Sequence, residues 1–139
     1  MTRRRVLVFG VFDCLHAGHM SFLRQARKYG DELIVAVARD RVVMRLKKKR
    51  PLQFETMRVR ALRVSGLADR VVLGDSRLGT YAILRRYMPD ILCFGYDQSA
   101  LIEDLRARMR GGRFPTIPCV RLRPHRKKIL HSSLLQKSR

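Results

Sequence analysis

The stretch VLVFGVFDCLHAGHMSFLRQARKYGDELIVAV, residues 6–37, decides the fold. An apolar run ends at Gly10 and reads as a buried strand. From His19 to Tyr29 the apolar residues Met20, Leu23 and Ala26, with Phe22 and Tyr29, recur at helical spacing, while Arg24, Arg27 and Lys28 take the other face. Gly30 supplies a natural stop. Leu33 to Ala38 is apolar at every position, so both faces of that second strand are covered.

Working outward, the same alternation continues. The pattern predicts a short helix over Arg41–Leu46, a basic loop from Lys47 to Pro51, and a helix over Glu55–Ser65 closed by Gly66. A third strand follows at Val71–Leu73, then a helix over Leu78–Met88 stopped before Pro89. Ile91–Phe94 is a fourth strand ended by Gly95, Ser99–Arg110 a helix, Ile117–Leu122 a fifth strand and Ser132–Lys137 a short last helix. Strands alternating with helices predict an α/β protein: a single Rossmann-like, doubly wound parallel sheet of about five strands with flanking helices. No linker or repeat divides the chain, which reads as one domain over 1–139.

Composition bounds the function. With 46% apolar residues in 139 the chain can bury a core, which excludes intrinsic disorder. No apolar run is long enough for a bilayer, and no signal peptide is legible, so a soluble cytoplasmic protein without a membrane partner is expected. Cys14, Cys93 and Cys119 are scattered and odd in number, which argues against a disulfide framework and a structural zinc site; Cys93 reads as a small core residue. The net charge is +20, and no acidic residue follows Asp104. Such a field attracts polyanions, whether nucleoside triphosphates, phosphorylated metabolites or nucleic acid.

In open parallel sheets ligands lie beyond the carboxyl ends of the strands, where the strand order reverses. The loops there, Val11–Gly18 and Gly95–Gln98, are rich in Gly, Asp and His. His16 and His19 flank Ala17-Gly18 where the first strand gives way to a helix. A helix start presents N–H groups and a partial positive charge, and phosphate is the natural guest. Gly18 lets backbone approach that guest closely, and two imidazoles add donors. Zinc fails as a reading for want of a third ligand. A lone histidine would read as a surface or core residue; the pair with Gly18 reads as phosphate binding.

These residues carry a resemblance. GVFDCLHAGHMSFLRQARKYGDELIVAVARD, residues 10–40, resembles the opening of the cytidylyltransferase-like nucleotidylyltransferases, with their HxGH motif at His16–His19. FETMRVRALRVSGLADRVVLGD, residues 54–75, and PDILCFGYDQ, residues 89–98, resemble later segments of that family, and GYDQ is most similar to archaeal-type FAD synthases. RKKILHSSLLQK, residues 126–137, lies where relatives carry a triphosphate-gripping turn. Arg126, Ser132 and Ser133 can be laid over its arginine and hydroxyl pair, while its acidic residue and lysine are missing. Ser132-Ser133 read equally well as a helix N-cap.

The resemblance implies that an acceptor's phosphate attacks the α-phosphorus of a nucleoside triphosphate and pyrophosphate leaves. The attacking group is already ionised, so no general base is required. Cationic and N–H donors aimed at the breaking bridge then supply the catalysis. The implied roles follow. His16 and His19 stabilise the triphosphate and transition state, and Val11, Phe12 and Gly18 line the phosphate cradle. Asp13 is an Mg²⁺-binding or substrate-orienting residue, with a plain Asx turn as the alternative. Lys48, within Lys47–Arg50, closes over the phosphates or is simply solvated. Arg58 reaches the phosphates or pairs with Glu55 on the surface. Asp97 reads the base or ribose, or stands as a turn residue.

Three functions remain in view from the sequence. The leading one joins ATP to FMN, giving FAD. The second joins CTP to glycerol 3-phosphate or a similar phospho-alcohol. The third is a basic nucleic-acid-binding protein on the same fold, against which stand 7% aromatics, no tryptophan and an intact HxGH. A homodimer is a further expectation from the resemblance.

Overall fold

The computed structural model describes residues 3–77 and 79–125. Five strands form one parallel sheet: β1 (Arg5–Gly10), β2 (Glu32–Val37), β3 (Arg70–Leu73), β4 (Ile91–Phe94) and β5 (Cys119–Arg121). Their order is β3-β2-β1-β4-β5. The helices are α1 (Ala17–Arg27), α2 (Asp40–Lys47), α3 (Glu55–Ser65), α4 (Ala82–Tyr87) and α5 (Ser99–Arg110). The doubly wound sheet expected from the sequence is therefore present.

The chirality of parallel crossovers explains which face each helix takes. Walking β1 to β2 to β3 puts α1 and α3 on one face, where Leu23, Ala26, Val59 and Leu62 pack on Val6, Val8, Val35 and Val37. The chain then returns past β1 to β4 and β5, so α4 and α5 take the other face. There Ile83, Leu84, Ile102 and Leu105 pack on Leu7, Ile34, Leu92 and Phe94. The direction reverses between β1 and β4, which opens a crevice at their carboxyl ends.

Helices α3 and α5 and strand β4 coincide with the expected spans. Gly66, at φ 69°, closes α3 in the left-handed region that favours glycine. Strands β2 and β3 and helix α2 differ by one residue at one or both ends, and three elements differ by more. Helix α1 starts at Ala17, because His16 is its N-cap. Helix α4 is shorter than Leu78–Met88: Tyr81 and Met88 are left-handed, and the Asp75 carboxylate accepts the N–H groups of Ala82 and Ile83 instead. Strand β5 is confined to three residues after Pro118, whose ring nitrogen cannot donate to a ladder. The helix expected at Ser132–Lys137 lies outside the described residues.

Cys93 is fully buried on β4, where it lies opposite Val120 of β5, and burial pushes its thiol up to about 12. That is the inert core cysteine the sequence suggests. Among the described residues, no helix is long and apolar enough to cross a membrane.

Candidate active site

The site grows out of Gly10. A Cβ there would lie 2.5 Å from the Phe12 ring, so only glycine lets that ring fold back beneath the loop. Phe12 pays a backbone cost, standing at φ 54°, as Cys14 does at φ 51°. The buried Phe12 ring supports His19, edge to face at 5.5 Å between centroids, and His19 stacks on His16 at 3.8 Å. A short ladder of rings thus fixes both imidazoles where α1 begins.

The histidines form a capping box in which imidazoles replace the usual hydroxyl and carboxylate. His16 Nδ1 accepts the N–H of Gly18 at 3.0 Å and also that of His19. His19 Nδ1 accepts the N–H of His16 at 3.3 Å. The amide hydrogens offered to a phosphate by the sequence are therefore already accepted by the rings. An Nδ1 that accepts an N–H carries no proton, so the neutral rings hold their hydrogens at Nε2. The helix start's positive field is passed through the imidazoles rather than presented bare. Both rings line the cavity above the sheet.

Arg58 is not where the sequence put it. Its side chain is fully buried and makes no ion pair with Glu55. Nε donates to the Gln53 carbonyl at 3.0 Å, Nη1 to the carbonyls of Val11 and Ala38 at 2.8 Å each, and Nη2 to Asp40 Oδ1 at 2.7 Å. It ties together the loops after β1 and β2 and the segment entering α3. Asp40 and Glu55 complete the knot, each carboxylate accepting the other's backbone N–H, at 3.1 and 2.8 Å. A guanidinium so enclosed positions the loop after β1 from behind.

Asp13 takes a related role. Its Oδ2 accepts the N–H of Leu52 at 2.7 Å and its Oδ1 that of Gln53 at 2.9 Å. Desolvation raises its pKa, but those two N–H groups and the Arg58 and Lys47 charges outweigh it, so the carboxyl stays below its ordinary value. The basic segment 47–50 is thereby leashed to the histidine loop, and Cys14 N–H to Gln53 Oε1 adds a strand to the leash. Lys47, Lys49 and Arg50 line the cavity; Lys48, the left-handed cap of α2, is not among the lining residues.

Across the crevice, Gly95 and the exposed Asp97 line the cavity beside the histidine turn. Gln98, present in the GYDQ segment but given no role by the sequence, holds this loop: Oε1 accepts the Gly95 N–H at 2.7 Å, and Nε2 donates to the Phe9 carbonyl at 3.0 Å. The sequence also passes over Tyr81, Asp104 and Arg108, which line the cavity on the α4–α5 face. Asp104 and Arg108 are one turn apart on α5, and the fold brings Tyr81, 23 residues before Asp104, to that pair. Arg126, Ser132 and Ser133 lie outside the described residues. The cavity holds about 1090 Å³, more than a single small ligand ordinarily needs and enough for two.

A crevice at the reversal of a parallel sheet, rimmed with lysine and arginine and lined by two stacked imidazoles, has the form of a nucleotide-binding α/β protein. The chain belongs to the cytidylyltransferase-like family, whose model matches residues 7–133, and it is a nucleotidyltransferase. It is 41% identical to an FAD synthase of Thermococcus sibiricus over 108 residues, 75% of this chain and 73% of that one. It is 49% identical to an FAD synthase of Aciduliprofundum boonei over 94 residues, 68% of this chain and 62% of that one. The crystal structure of a lipopolysaccharide core biosynthesis protein from Thermoplasma volcanium superposes with a TM-score of 0.80 at 33% identity, covering 89% of this chain and 99% of that one. Pantothenate synthetase from Thermus thermophilus, at 16% identity and TM-score 0.57, shares the fold, with 87% of this chain and 55% of that one covered.

Proposed function

We propose that this chain transfers AMP from ATP to FMN, forming FAD and releasing pyrophosphate. The observation that carries the reading is its identity of 41% to 49% to FAD synthases from more than one archaeal genus. In this reaction an FMN phosphate oxygen forms a bond to the α-phosphorus of ATP. The bond from that phosphorus to the α–β bridging oxygen breaks, and its electrons leave with pyrophosphate. FMN supplies an ionised nucleophile, so the residues of the chain need only bind, orient and neutralise.

His16 and His19 do this at the reacting phosphorus. Their Nε2 hydrogens meet the oxygens on which negative charge gathers, and rings locked by the capping box need no reorganisation as the bond breaks. Lys47, Lys49 and Arg50 gather over the β- and γ-phosphates, with Lys48 lending long-range charge. Arg58 acts through the Val11 carbonyl, fixing the Val11–Phe12 backbone against which the phosphates rest. Asp97 takes the adenosine ribose or base at the exposed edge of the crevice.

Among the described residues no cluster of three His, Cys, Asp or Glu could cage a metal ion. The donor set instead fits a magnesium that arrives on the triphosphate with its own waters, with Asp13, on the loop that leads into the histidine turn, as a carboxylate near it. Such an ion, when bound, neutralises phosphate charge.

The test is direct. Purified protein with ATP, FMN and MgCl₂ should yield FAD and pyrophosphate. CMP transfer to glycerol 3-phosphate from CTP, with no FAD formed, would overturn the proposal. A salt-sensitive gel shift with RNA and DNA, and sedimentation for a homodimer, test the two partners that the charge and the resemblance suggest.

A further inference from the structure

The cavity has a half that the histidine turn does not reach. It opens on the face of α4 and α5, and Phe9, Ala36, Ile83 and Leu101 supply its apolar lining. Its polar wall is built. Tyr81 donates its hydroxyl hydrogen to Asp104 Oδ2 at 2.7 Å, and Arg108 Nε donates to the same oxygen at 3.0 Å. The Arg108 guanidinium lies over the Tyr81 ring, 5.3 Å from its centroid, and Phe9 meets that ring edge on at 6.3 Å. Tyr81 itself stands at φ 47°, a strained conformation for a bulky residue. Asp75 enforces it by accepting the N–H groups of Ala82 and Ile83, and also the hydroxyl of Thr80 at 2.7 Å. Strain held by surrounding bonds marks a position the fold maintains for a purpose other than stability.

The free valences of this wall have a pattern. Both bonds to Asp104 arrive at Oδ2, so Oδ1 accepts nothing among the described residues, and neither Nη of Arg108 donates to any of them. An acceptor oxygen thus stands beside guanidinium donors, above an apolar floor. We infer that this half is the subsite for the acceptor's ring system, and that Tyr81, Asp104 and Arg108 determine acceptor specificity by reading a flavin's imide edge. That edge presents a carbonyl, an N–H and a second carbonyl. Asp104 Oδ1 takes the N–H, Arg108 Nη–H meets a carbonyl, and the flat electron-poor ring lies against the layered Tyr81 and Arg108 planes. Adenosine has the other half, beside Gly95 and Asp97 where α1 delivers the phosphates. A glycerol phosphate acceptor would leave Phe9, Ala36, Ile83 and Leu101 facing water.

The inference rests on FMN as the acceptor, and its test separates the two. Asp104→Asn and Tyr81→Leu are assayed in the full chain for FAD formation, with FMN and ATP varied in turn. Both should raise the KM for FMN about tenfold, the effect of losing one hydrogen bond to a charged group, and leave the KM for ATP within about twofold. N3-methyl-FMN, which lacks the imide hydrogen, should be discriminated against by wild type and no longer by Asp104→Asn. The Asp104 side chain is 46% exposed, so that variant folds even where Tyr81→Leu does not. A KM for ATP that rises in place of that for FMN would assign this half to adenine and overturn the inference. So would an unchanged KM for FMN in folded Asp104→Asn while wild type makes FAD, which leaves FMN adenylylation standing. Wild-type protein that makes no FAD would remove the proposed function and this subsite with it.

Discussion

The two ends of the sheet use their few acidic residues differently. At the amino end they close the fold. Asp31 accepts the N–H of Arg4 and Asp90 that of Arg5, both at 2.8 Å; Asp69 accepts that of Leu33 and also pairs with Arg27. Asp69 there neutralises a cation and caps a strand end at once, and Glu32 pairs with Arg5 beside it. At the carboxyl end Asp13, Asp40, Glu55 and Asp75 tie loops by their backbone N–H groups, and the one cation held among them, Arg58, is buried. Lys47, Lys49 and Arg50 at the cavity mouth are left to face it. With 11 acidic residues against 31 basic ones, the excess charge is concentrated by this allocation where a polyanion is to be received.

Arg58 is the sharpest place to break the comparison. Arg58→Met removes a buried guanidinium from Asp40 and from three carbonyls, and should cost on the order of 3–5 kcal/mol in urea unfolding. Nearly unchanged stability would mean that the loops hold themselves. The histidines come next. His16→Ala and His19→Ala should each lower turnover on the order of 10²–10³ in a FAD-release assay. His16→Ala should also lose about 0.5–2 kcal/mol of stability as a lost N-cap. Loss of stability without loss of turnover would reduce both to structural caps.

The smallest effect belongs to the amino end. Desolvation raises the Asp69 pKa, but the Arg27 and Leu33 donors prevail and hold it below its ordinary value. A depressed folded pKa contributes stability that is present above the unfolded pKa and is lost as pH falls through the folded one. Melting temperature should therefore be insensitive to this group near neutrality and decline below about pH 4. Asp69→Asn should flatten that acid arm, as seen in melts across pH, without changing the KM for ATP.

Sequence periodicity exposed what local patterning controls. The run of apolar residues in β2, the Gly66 stop of α3 and the spans of β4 and α5 are all written in adjacent residues. So was the histidine turn, since His16 and His19 are close in the chain. Arg58 was misread because its partners are carbonyls at residues 11, 38 and 53, and a carbonyl leaves no mark in a sequence. An arginine among the alternating residues of α3 looks like a surface cation until its helix is docked. Tyr81 and Asp104 meet across 23 residues, and the late start of α4 was hidden for the same reason, the acceptor of its first N–H groups lying upstream at Asp75. The Nδ1 acceptors at the turn were missed because composition says which rings are present and not which nitrogen faces inward.

The account turns on the rings of His16 and His19 presenting Nε2–H to the nucleotide. Imidazole ¹⁵N NMR of the protein, with and without ATP and magnesium, tests it most directly. The account predicts an Nε2-protonated tautomer in both rings and Nε2 resonances that move when ATP is added. A proton found on Nδ1 of either ring, or Nε2 resonances indifferent to saturating nucleotide, would contradict it.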